Sequence, residues 1–430
     1  MNKDNILNNP YLIFFPFLIA FVIWVLISPI DLSDGDQGRY LGCAQNLIHG
    51  FYSAPAPNID LRSGPGYPVI LMPFLALKLP LMCITLMNAF FYYFSIILLF
   101  KALKEIVSFS ISLTFSLGWA CYYIAYQNIP YIHTESFTYL LGASLIFLII
   151  KAFKPDITGS ARKYVLLSGF VLGYIVLTKM IFGYVLLIML AGSCLLWIIN
   201  RKNVNYHKGL LIVSLAFLTT TPYLLYTYNL TGKLLYWGNG NDSLYWMSTP
   251  YHGEYGDWKS DLSLNPPANG NFNIAGADSV LKVNHGADFK ELYKYNNIER
   301  DDIYTRLAIK NIKSHPVKFV QNVIYNVGRL IFHYPFSYAV QRPKTLLVFP
   351  INGILFTLML FSLIPTFLNW RKFPYSVRFL VMIVLLYLGG SSLVSAILRM
   401  FTIAVPFLLV WIAYVFQNSI KFNLKFSKKT

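Results

Sequence analysis

The residues best able to do chemistry lie in one stretch, Asp31 to Pro68 (DLSDGDQGRYLGCAQNLIHGFYSAPAPNIDLRSGPGYP), directly after the first apolar span. It gathers Asp31, Asp34 and Asp36, then Arg39 and Arg62, then a Gly/Pro-rich turn ending at Tyr67 and Pro68. Charge at the mouth of a membrane helix is costly unless it has a partner or a task. A carboxylate there can take a proton from an attacking hydroxyl or amine. A nearby cation can hold a leaving group as negative charge develops on it. A loop leaving a membrane also needs polar residues for its own solvation, so the cluster carries the argument rather than any single aspartate.

Other candidates are scattered. His133 and Glu135 precede an apolar span in IPYIHTES, Lys179 sits in a turn between two spans, and Arg399 separates two closely spaced apolar runs. Arg399 is the best phosphate partner by position, with Arg62 and Lys179 beside it and Arg39 and Lys78 behind; each could instead snorkel to an interface. Glu135 could orient an acceptor or assist a base, or it could complement a helix dipole. His133 has no second histidine at ligand spacing, which argues for an interfacial residue rather than a metal ligand.

The elements that must position these groups are membrane helices. Of 430 residues, 56% are hydrophobic and only 12% charged, against roughly 25% charged in soluble domains; the mean hydropathy is +0.53. The net charge of +17 lies in short connections between spans, the pattern that orients membrane proteins, and not on a nucleic-acid-binding face. The four cysteines show no metal or disulfide spacing.

Hydropathy predicts an all-α integral membrane protein of about ten spans: Tyr11–Ile30, Leu81–Phe100, Ile106–Tyr126, Phe137–Ile150, Tyr164–Thr178, Ile181–Asn200, Gly209–Tyr228, Thr345–Leu368, Phe379–Leu398 and Phe401–Phe416. The first is too long, and lacks the cleavage site, for a signal peptide. Tyr67 to Pro80, interrupted by Pro73, reads as a re-entrant or interfacial half-helix. With both termini inside, Lys101 and Lys104, Lys151 and Lys154, Arg201 and Lys202, and Arg371 and Lys372 all fall on the cytoplasmic side. The Asp31–Pro68 stretch, Glu135, Lys179 and Arg399 then share the extracytoplasmic face, in an inner membrane.

Three regions follow: a transmembrane module over 1–228, an extracytoplasmic loop region over 229–344 and a transmembrane module over 345–430. The loop is rich in turn residues (YWGNGNDSLYWMSTPYHGEYGDW, NPPANGNFNIAGAD). From about Asp301 to Ile331, apolar residues recur at helical spacing on either side of Pro316. That pattern predicts an amphipathic helix pair on the membrane surface.

The acidic first loop DGDQGRYLGCAQNLIHG, the RSGPGYP turn, IPYIHTES, the GFVLGYIVLTK hairpin, TPYLLYTYNLTGKL and LRMFTIAVP, in this order relative to the spans, resemble the C-type (GT-C) glycosyltransferase superfamily. The resemblance is to the branch of protein O-mannosyltransferases and bacterial aminoarabinose transferases. Gln37 stands where relatives in the aminoarabinose branch place an acidic residue.

The resemblance implies transfer of a sugar from a polyprenyl-phosphate donor, with inversion, to a glycolipid, cell-surface glycan or protein. It implies no cofactor, and a metal-independent site, although Asp34 and Asp36 also look like the Asp-x-Asp pair that some of these enzymes use with a divalent ion. D-Q-G-R-Y lines up with the family's aspartate-to-tyrosine spacing, making Asp36 the first choice for the base and Asp34 the second; either could instead cap the following helix. Tyr40 and Tyr67 complete the expected substrate-binding set. Two rivals are an O-antigen polymerase or ligase and, further off, a secondary transporter, which should show repeats and charged or broken helices at mid-membrane.

Overall fold

The computed structural model describes residues 9–30, 32, 35–155, 161–238, 240–259, 276–340 and 343–419. Asp31 and Asp34 lie outside the described residues. The chain is an all-α, multi-pass integral membrane protein: the described residues contain no strand, and eight of the helices are long and apolar enough to cross a bilayer.

The first predicted span is a one-turn piece, Pro10–Ile13, followed by α1 (Phe15–Ile27). Asn9 caps that first turn through the Tyr11 amide, and Pro16, which has no N–H to give, accompanies the break at Phe14. α2 (Gly35–Ile48) and α3 (Gly66–Ala76, with Pro73 inside) are short helices beyond its end. α4 (Leu81–Leu103) crosses. The third predicted span divides into α5 (Phe109–Ala120) and a turn at Tyr123–Tyr126. Tyr122 leaves helical geometry between them, and its buried hydroxyl donates to Asn352 Oδ1 at 2.6 Å.

The next crossings are α6 (Glu135–Ala152), α7 (Ala161–Thr178), α8 (Phe182–Ile199) and α9 (Val204–Thr231). α9 starts at an Asn203 cap and stops at Gly232 in the left-handed region (φ 74°). α7 and α9 meet through small residues: a Cβ on Gly169 would stand 2.5 Å from Leu215 Cβ, and one on Gly173 2.6 Å from Thr219 Cβ. With no hydrophobic driving force between helices in lipid, such close approach is what binds them.

Next come α10 (Asp242–Met247), α11 (Ala277–Leu292), α12 (Asn297–Ser314) and α13 (Pro316–Phe332). They carry a small aromatic core of their own, including Tyr245, Trp246, Phe289 and Tyr304. Asn296 and Glu299 form a capping box on α12, and Pro316 opens α13. The helix pair predicted around Pro316 is therefore present, and α13 leaves Val317, Val320 and Ile324 exposed on one side. α14 (Pro343–Asn369), α15 (Tyr375–Leu393) and α16 (Leu398–Ser419) complete the bundle.

Several polar atoms inside the bundle find partners where no water can serve them. Trp119 donates to Ser95 at 3.0 Å, Tyr92 to the Trp119 carbonyl at 2.7 Å and Trp411 to Thr366 at 2.7 Å.

Candidate active site

Three of the predicted site residues, Asp36, Glu135 and Arg399, stand in the first turn of a helix. Asp36 lies in the first turn of α2, and Arg399 is the second residue of α16. Arg399 Nη2 donates to Asp36 Oδ2 at 2.8 Å, and its Nη1 reaches His133 Nδ1 at 3.0 Å. A guanidinium can only donate, so Nδ1 accepts and that proton of the imidazole sits on Nε2. Arg39, one turn along α2, holds the other oxygen of Asp36 at 3.0 Å and faces Asp60 at 3.8 Å. A chain of alternating charge thus runs Asp60, Arg39, Asp36, Arg399, with its members about a quarter to a half exposed.

A second pair lies alongside. Lys179, in the turn between α7 and α8, donates to Glu135 Oε1 at 2.8 Å. Glu135 opens α6 and is almost wholly buried. Lys179 is therefore committed to a carboxylate in this structure rather than only anchoring the turn.

The RSGPGYP turn explains how α3 is seated. A Cβ on Gly64 would fall 2.0 Å from the Leu177 carbonyl oxygen, and one on Gly66 2.4 Å from Thr178 Oγ1. Only glycine permits this approach to the last turn of α7, beside Lys179. Tyr174 locks it by donating to the Gly66 carbonyl at 2.9 Å. Tyr67 is fully buried, with Tyr40 edge-on at 5.6 Å. Burial, followed by the charges of Asp36 and Glu135, pushes the Tyr40 hydroxyl well above its ordinary range, so Tyr40 stays a neutral donor.

Arg62 stands apart. It pairs with Asp242 at 3.5 Å and, with Arg39, Asp60, Arg300, Asp301 and Tyr304, lines a polar cavity of about 120 Å³. Lys78 is exposed beyond the end of α3. Asp36 is the second residue of α2, inside the helix rather than its cap. Among the described residues no three His, Cys, Asp or Glu side chains gather as a metal site.

Several positioning residues gave little sequence signal. Gln37 accepts from the Ile132 amide at 2.8 Å, tying α2 to the loop that carries His133. Asn88, inside α4, donates to the Ile129 and Tyr131 carbonyls at 3.2 and 2.9 Å. Asn326 of α13 donates to the carbonyls of Ser391, Ser392 and Val394 and accepts from the Ala396 amide at 2.9 Å. It clamps the turn that leads into Arg399. Asn88 alone was open to notice, as an amide in an apolar span.

No family model matches the chain, and no curated protein matches it in sequence. Solved structures match in fold. The oligosaccharyltransferase of Archaeoglobus fulgidus, tethered to an acceptor peptide containing the NVT sequon, is similar over 93% of this chain and 49% of its own, at 12% identity and a TM-score of 0.50. AglB of the same organism, in complex with an inhibitory peptide and a dolichol-phosphate, is similar over 96% of this chain and 52% of its own, again at 12% and 0.50. This chain therefore spans about half the length of those proteins, and what it shares with them at such identity is the fold. ArnT of Cupriavidus metallidurans bound to undecaprenyl phosphate reaches a TM-score of 0.40 at 11% identity over 93% of this chain and 77% of its own, too low to carry an argument.

Proposed function

We propose that the chain is a GT-C glycosyltransferase that moves a sugar from a polyprenyl-phosphate donor to an acceptor hydroxyl or amine on the extracytoplasmic face of an inner membrane. The observation that carries this reading is the Asp36 carboxylate held between Arg399 and Arg39, beside the Glu135–Lys179 pair, at one end of the bundle. The shared fold supports it, because the neighbours of that fold act on, or are bound to, a sequon peptide and a dolichol-phosphate.

In this reading the acceptor's lone pair attacks the anomeric carbon from the face opposite the phosphate. The C–O bond to phosphate breaks with its electrons, releasing polyprenyl phosphate, and the acceptor's proton passes to Asp36. Arg399 turns from Asp36 toward the developing phosphate charge, with Lys179 next to it. Tyr40 and Tyr67 shape the apolar wall. The polar cavity behind Arg39 receives acceptor hydroxyls, which its guanidinium and carboxylate groups are suited to bind in pairs.

The test is release of polyprenyl phosphate by the purified full chain, supplied with polyprenyl-phosphate sugars and a glycolipid or peptide acceptor. Turnover that requires Asp36 supports the reading. Turnover retained in Asp36→Asn would favour an O-antigen polymerase or ligase, which has no need of that carboxylate.

A further inference from the structure

At the other end of α6 lies a cavity of about 940 Å³ between the ends of α6, α7, α8 and α9. The eighteen residues of α6 run from Glu135 to Ala152, so the cavity is roughly 26 Å from the candidate active site along that helix. Its lining includes Lys154, Arg162, His207 and Lys208, and no carboxylate among the described residues.

Among the described residues the charges do not cancel locally. Glu105, outside the cavity, is shared by Lys151 at 2.6 Å and by Lys154, leaving one positive charge in excess. Lys208 donates to the Ala152 carbonyl at 2.8 Å, a neutral acceptor that offsets no charge. Arg162 has no hydrogen bond or ion pair among the described residues. His207 shares a hydrogen bond with the Arg201 carbonyl through Nε2.

The walls are of another kind. Val165, Trp197, Leu210 and Leu211 line the same cavity, and Val204 and Leu211 are exposed, as are Leu195, Ile198 and Ile199 on the adjoining end of α8. In a multi-pass membrane protein an acyl chain can cover such a surface. A basic rim above apolar walls at the ends of membrane helices fits an amphiphile with an anionic head.

We propose that this cavity binds an anionic glycerophospholipid from the adjoining leaflet, its phosphate held by Arg162, Lys154 and Lys208 and an acyl chain lying along Leu211 and Trp197. The site is separate from the transferase reaction and stands whether or not that reading does.

The experiment is native mass spectrometry of the full chain released from mixed phosphatidylglycerol and phosphatidylcholine vesicles. Phosphatidylglycerol should be retained in preference. Lys154→Ala with Arg162→Ala should lower its retention about 30-fold, at about fivefold per cation, and leave phosphatidylcholine retention unchanged. Arg162→Ala alone, with rescue by Arg162→Lys, keeps the test open should the double variant fold poorly. Equal retention of both lipids, or variants indistinguishable from the native chain, would overturn the proposal. Complete displacement of phosphatidylglycerol by millimolar inorganic phosphate would do so too, by making it a site for the free anion.

Discussion

Arg399 Nη2 donates to Asp36 Oδ2 at 2.8 Å across 363 positions of sequence. The bond joins the first short helix after α1 to the start of the last helix, and Asn326 and Gln37 hold the two sides of it in place from elsewhere. A carboxylate so held is oriented before any substrate arrives. In the proposed reaction its partner is a cation that a phosphate oxyanion would claim, which would make donor binding and base release one event.

Asp36→Asn therefore should lower turnover by roughly 10²–10⁴-fold, the usual loss for a general base, while binding of the lipid donor survives. Single-turnover transfer and a separate donor-binding assay on the purified variant separate the two. Full turnover would remove Asp36 from the chemistry.

Arg399→Ala should weaken transfer by up to about 3–4 kcal/mol, the scale for a lost preorganised donor. Arg399→Lys should recover part, because a point charge replaces a planar fork that reaches Asp36 and His133 at once. Transfer rates at limiting donor decide. Native rates in both variants would leave Arg399 as a membrane anchor only.

Much of this was legible in sequence, for reasons that are local. Long apolar runs and their cationic connections report a membrane bundle because the bilayer forbids alternatives. Asp36, Glu135, Lys179 and Arg399 stood out because charge at span ends is costly. Their partners did not. Arg399 to Asp36 and Lys179 to Glu135 are tertiary facts, fixed by glycines such as Gly64 that let α3 and α7 touch. Asp60 and Asp242 are ordinary loop acids until Arg39 and Arg62 are seen beside them.

The Glu135–Lys179 pair separates structure from function. Lys179→Met strips a buried carboxylate of its hydrogen-bonded cation, which costs up to about 3–5 kcal/mol, and should lower the thermal midpoint. Adding Glu135→Gln should restore much of that stability. If Lys179 meets the donor phosphate, the double variant melts near the native midpoint yet transfers poorly. Restored transfer would make the pair a structural tie.

Sidedness is open to labelling. A single cysteine placed at Asn58, in a chain stripped of its own four, should react with an impermeant maleimide in right-side-out vesicles. One placed at Asn203, the cap of α9, should not react until the vesicles are opened. The reverse pattern would put Asp36 on the cytoplasmic face and overturn the proposed donor geometry.

Asp301 gives a pH dependence of definite sign. Burial pushes its carboxyl up to about 6 from 3.8, with the Asp242 charge adding and the Asn241 hydrogen bonds opposing. The folded chain therefore holds this proton between about pH 4 and 6 while the unfolded chain has released it. Stability from this group is greatest below pH 4, falls as pH rises to about 6 and is level beyond, a loss of about 3 kcal/mol at 1.36 kcal/mol per pKa unit. Asp301→Asn removes the titration and keeps a group of the same shape, since the Asn241 side-chain amide can turn over to meet it. The difference in thermal midpoint between native chain and variant should fall across that window and stay flat above it. A difference that does not change with pH would mean that Asp301 is ionised in the fold throughout.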